Sequence, residues 1–97
     1  MSSLIQQLQP PQAAVEQIIG LYNQGQLEQT VSIAESLATQ YPDAIILYDL
    51  LGAAYMGLKN TEKTIASCQK ALQLKPNHTD AYNNMGMALY DQGDIPV

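Results

Sequence analysis

The stretch PDAIILYDLLGAA, from Pro42 to Ala54, returns in altered form as PNHTDAYNNMGMA, from Pro76 to Ala88. Superposed at a step of 34 residues, Pro42 meets Pro76, Tyr48 meets Tyr82, Gly52 meets Gly86 and Ala54 meets Ala88. Leu51 and Met85 keep an apolar place in the same register. Taken backwards, the step sets Glu62 on Glu28, Thr64 on Thr30, Ile65 on Val31 and Tyr55 on Leu21. Coincidence supplies one such match, not a set in one frame. The chain is a repeat array, in which each unit buries its apolar face against its neighbours.

Inside each unit the apolar spacing is helical. Leu47, Leu50, Leu51, Ala54, Tyr55 and Leu58 recur at three and four residues, as do Ile65, Cys68 and Leu72 with Ala71 and Leu74. The pattern predicts helices over 11–24, 26–40, 44–58, 61–74 and 78–91, with a short helical lead-in over 1–9. Asp43 and Asn77, each just after a proline, are expected to cap the following helix through their side-chain oxygens. Gly25, Asn60 and Gly93 fall at the helix–helix turns, where backbone freedom or a polar cap is useful. The prolines close each unit because a helix does not readily run through them.

A 34-residue helix–turn–helix unit with these residues resembles the tetratricopeptide repeat. Counting from Ile45 and Thr79, the aromatic of position 4 is Tyr48 and Tyr82, positions 7 and 8 are Leu51–Gly52 and Met85–Gly86, and position 11 is Tyr55 and Leu89. The small residue at position 8 lets the first helix of a unit (helix A) approach the second (helix B). Thr64, Cys68 and Ala71 supply small or medium side chains on helix B. The earliest unit departs from the pattern, with Ala14, Gln17 and Ile18 at positions 4, 7 and 8. It reads as a degenerate capping repeat over 11–42, followed by a repeat over 43–76 and one truncated after helix A over 77–97. The expected fold is therefore an all-α, antiparallel helix–turn–helix solenoid of about two and a half repeats and five main helices.

Composition narrows the function. The sequence has 97 residues, 46% hydrophobic and 13% charged, which is the balance of a globular chain. Four lysines, no arginine and nine acids give a net charge of −5, which speaks against nucleic acid as a partner. No apolar run approaches the ~20 residues of a membrane span, and the N-terminus lacks the basic start and apolar stretch of a signal peptide. These features point to a cytoplasmic domain without a membrane partner.

The resemblance places ligands along the concave surface lined by A helices. The positions it projects there are Ile46, Asp49, Leu50, Ala53 and Met56 in the second unit, and Asp80, Asn83, Asn84, Met87, Tyr90 and Asp91 in the third. The first unit offers Gln12, Val15, Glu16, Ile19, Tyr22 and Asn23. Apolar, amide and acidic groups without Lys or Arg suit a protein or peptide ligand of basic or polar–apolar character. The family's carboxylate clamp of Lys, Arg and Asn is not reproduced, since only Asn84 stands in place. An asparagine ladder at position 6 is matched by Asn84 but not by Leu50 or Glu16. Met56 and Met87 also suit packing between repeats. All four lysines, Lys59, Lys63, Lys70 and Lys75, cluster on or beside one helix, giving a segment of +3 against −8 elsewhere. They read as a solvated outer face, or as a contact with the acidic remainder of another copy.

No catalytic, cofactor or metal constellation is evident. His78 is expected to be exposed at the start of a helix, and Cys68 to be a packed small residue. The two share no nucleophile motif, and the carboxylates lack metal-ligand spacing. The third unit stops before a second helix, so the chain is expected to be a piece of a longer protein. Its glutamine-rich start resembles bacterial multi-repeat proteins, a resemblance that implies a parent with a glycosyltransferase or sulfotransferase domain. A self-assembling structural protein, using the open face of the third unit as a homo-oligomer contact, is the rival reading.

Overall fold

A computed structural model describes residues 9–92. Five helices follow one another in antiparallel pairs: α1 (Gln12–Asn23), α2 (Leu27–Gln40), α3 (Ile45–Gly57), α4 (Thr61–Leu74) and α5 (Thr79–Gln92). Each lies within a residue or so of its expected span, and no strand occurs among the described residues. The architecture is the all-α helical solenoid that the 34-residue period predicts. The expected lead-in, apart from Gln9, and the turn at Gly93 fall outside the described residues.

Helix α3 is the centre of the array. Leu47, Leu50, Leu51, Gly52, Ala54 and Tyr55 are all buried, so the helix is covered around most of its circumference. It packs on α2 and α4 at its sides and also touches α1 and α5. Its apolar residues join Ile18, Ala34 and Ala44 in one core, and a second core gathers Cys68, Ala71 and Ala81 around Ile45, Tyr48, Leu72 and Met85. Gly52 faces α4 closely: a Cβ built there would lie 3.4 Å from Cys68 Sγ. In the first unit that position holds Ile18, which is fully buried. Helices α1 and α2 share a smaller contact than α3 and α4 do.

The turns within and between units repeat as faithfully as the helices. After α1, the Gln26 N–H donates to the Leu21 carbonyl at 2.9 Å and the Gly25 N–H to that of Tyr22 at 3.0 Å. After α3, Asn60 donates to Tyr55 at 2.9 Å and Lys59 to Met56 at 3.0 Å. Both are Schellman endings, which need a left-handed residue just past the helix. Gly25 supplies it at φ 79° and Lys59 at φ 65°. The Asn60 side chain then accepts from the Lys63 N–H at 3.2 Å and caps α4, as its position suggests.

Asp43 and Asn77 do not cap. The residue flanking α3 is Ala44, with no side-chain cap, and the Ala44 N–H donates to Tyr41 at 3.1 Å. The equivalent bond runs from His78 to Lys75 at 3.1 Å. Pro42–Asp43 and Pro76–Asn77 are thus the central pairs of β-turns, where proline presets φ and a short polar side chain is favoured. The repeated tyrosines close these turns. The Tyr48 hydroxyl donates to the Pro42 carbonyl at 2.8 Å and that of Tyr82 to the Pro76 carbonyl at 3.1 Å. Thr30 and Thr64 are wholly buried, and each donates its hydroxyl to the carbonyl four residues back, at 2.7 and 2.9 Å.

Neighbouring A helices touch, α1 with α3 and α3 with α5, whereas the B helices α2 and α4 do not. The array therefore bends toward its A side. On the opposite side the parted B helices leave an open groove of about 310 Å³ floored by Tyr48 and Leu51. The chain is elongated, 53 × 29 × 17 Å.

Candidate functional site

The inside of the bend is built from one face each of α1, α3 and α5. On this face the large apolar side chains at the positions singled out by sequence are left in water: Ile19 is 36% exposed, Ile46 40%, Met87 56% and Tyr90 72%. Tyr82 is also exposed, at 56%, but as the equivalent of Tyr48 it lies on the other side of α5. Among the described residues no such group lies on α2 or α4, and the one other example, Leu58, flanks the end of α3. Asp80 and Asn83 are exposed on α5, while Asn84, Met56 and Ala53 are half-buried. Leu50 does not belong to the surface. It is buried in the main core, because a helix covered by four others has little circumference left for solvent. The side chain of Asp91 is outside the description.

Asp49 is where the structure adds most to the sequence reading. Rather than standing free, its carboxylate accepts from the His78 Nε2–H, which lies 2.8 Å from both Oδ1 and Oδ2. A carboxylate only accepts, so Nε2 is the donor in this contact. His78 is correspondingly not exposed: its side chain retains 14% of its accessible surface and that of Asp49 24%. The residue lies in the turn before α5, and that turn folds it back onto α3. Burial pushes the Asp49 carboxyl above its ordinary range, and Asp80 adds to the rise. The hydrogen bond and charge of His78, and to a smaller extent the charge of Lys75, oppose it without cancelling it. Asp49, His78 and Asp80 bring a ligand atom each within 4.8 Å of one another. No local spacing signals this trio, because it joins position 5 of one unit to the end of that unit and the start of the next.

Cys68 is buried as expected, 2% exposed, and burial with the charge of Asp49 raises its thiol to about 11. It is a packing residue of the α3–α4 contact, next to Gly52. On the outer side, the Lys63 ammonium stands 5.6 Å from the centre of the Tyr55 ring, and the Tyr55 hydroxyl donates to the Glu35 carboxylate. No described helix is long and apolar enough to cross a membrane.

Comparison with known proteins agrees with this geometry. Two family descriptions, both of the tetratricopeptide repeat, match residues 46–78 and 67–96, which together take in more than half of the chain. The peroxisomal targeting signal receptor of Candida albicans is 28% identical over 93 residues, a match that covers 90% of this chain and 16% of the receptor. The chain thus spans about a sixth of that relative's length. With matching sequence, a 34-residue period, paired antiparallel helices and a small residue where α3 meets α4, the chain belongs to the tetratricopeptide repeat family.

Proposed function

We propose that this chain is a non-catalytic protein–protein interaction module that holds a peptide or helix along the inside of its bend. The observation that carries the reading is the one-sided exposure of Ile19, Ile46, Met87 and Tyr90 on A helices, while the B helices expose no large apolar side chain among the described residues. Exposed apolar groups gathered on one face mark an interaction surface. Glu16, Asp80 and Asn83 border them on A helices that carry no Lys or Arg, which favours a partner that presents such groups beside apolar side chains. The Candida relative is named as a receptor for a targeting signal, which accords with a receptor role. The setting we propose is cytoplasmic, where a lone thiol stays reduced.

Panning a random peptide library on the chain tests this. Selected peptides should be enriched in basic and apolar residues, and Met87→Ser and Tyr90→Ser should each weaken them by about tenfold, the loss of roughly 1.4 kcal/mol. Equal loss from Gln69→Ala on the outer face of α4, with none from the two α5 variants, would move the site off the bend.

A second reading has its own support in α5, where Tyr82, on the side that Tyr48 turns toward the B helices in the preceding unit, is 56% exposed. A second copy docking on that face would make the chain self-associate. Sedimentation equilibrium across the micromolar range separates the two readings: a mass rising with concentration favours assembly, a constant monomer mass removes it.

A further inference from the structure

We propose that Asp49, His78 and Asp80 form a binding site for a divalent transition-metal ion of the zinc class at the seam between the second and third units. The donor set is one imidazole and two carboxylates, a combination that suits such an ion when further positions are left to water. Spacing supports it. Tetrahedral ligands bound at about 2.0–2.2 Å stand roughly 3.3–3.6 Å apart, so Asp49 and His78, held 2.8 Å apart by their hydrogen bond, need only separate slightly and exchange that bond for the ion. The third ligand atom is within 4.8 Å of the others and belongs to the exposed Asp80, so a small rotation closes the set.

Electrostatics point the same way. Asp49 and Asp80 carry like charge in proximity, and Asp49 and His78 are withdrawn from most of the solvent. A divalent cation would relieve both the repulsion and the desolvation. Lys75, whose charge also reaches Asp49, is exposed on a long flexible stem and can swing aside. On binding, Nε2 gives up the proton it donates to Asp49 and its lone pair goes to the ion. Because Asp49 belongs to α3, His78 to the turn and Asp80 to the first turn of α5, the ion would fasten consecutive A helices to each other.

The test uses the chelator-stripped chain titrated with Zn²⁺ against a competing chromophoric chelator. Saturable binding of one equivalent is expected, with a rise in thermal midpoint and a shift of the ring protons of His78, the sole histidine of the sequence. His78→Gln and Asp80→Asn should each weaken binding by at least about tenfold and abolish the thermal shift. Asp80 is exposed, so its variant separates lost coordination from lost folding. Cys68→Ala should bind as the unaltered chain does. Wild-type affinity in His78→Gln, an unperturbed His78 ring, or no saturable binding below millimolar Zn²⁺ would each overturn the proposal.

Discussion

A methyl group placed on Gly52 would lie 3.4 Å from Cys68 Sγ and 3.9 Å from Ser67 Cβ, which is close but ordinary contact. Gly52→Ala is therefore expected to stay within about 1 kcal/mol of the unaltered chain, since alanine's better helix propensity offsets the tightness. Gly52→Leu drives a branched side chain into α4 and should cost about 1–3 kcal/mol or more. Gly86, one unit later, has nothing within 4 Å of a built Cβ, so Gly86→Ala should stabilise by up to about 1 kcal/mol. Urea titration of the three variants checks this order. Tyr55 gives a prediction in pH. Burial, followed by the hydrogen bond and charge of Glu35, raises its hydroxyl from 10.0 to about 12. A raised folded value favours the neutral form, so the contribution is whole below pH 10 and is lost as pH climbs toward 12. Tyr55→Phe should lose about 1 kcal/mol at neutral pH and should show a shallower loss of melting temperature across that alkaline window.

The elements show where sequence reading is strong and where it yields. Five helices were legible because Leu47, Leu51 and Tyr55 repeat on one face and because the same types return 34 residues later. The capping role given to Asp43 and Asn77 was not, since a polar residue after proline suits both a cap and a turn centre. The local bond from Ala44 back to Tyr41 decides for the turn. Period-breaking residues carry information of their own. Lys59 occupies the left-handed place that Gly25 fills in the first unit. A side chain there costs about 1–2 kcal/mol, while glycine brings back part of that as unfolded-state freedom. Lys59→Gly should consequently raise stability by a few tenths to about 1 kcal/mol, and Gly25→Ala should lower it, both read from thermal midpoints.

For the whole molecule, the bend and the sidedness of its surface follow from the repeat frame, so Ile46, Met87 and Tyr90 could be placed by counting. The pairing of Asp49 with His78 could not, because it joins residues 29 apart in sequence across two units. That distance is nonetheless short beside what many folds require. Among the described helices, each touches only those one or two places away along the chain. Arrangements of this kind pay little loop-closure entropy before contacts form, and they acquire structure in microseconds to milliseconds. Structure can therefore start at any pair of neighbouring helices and spread along the chain from there.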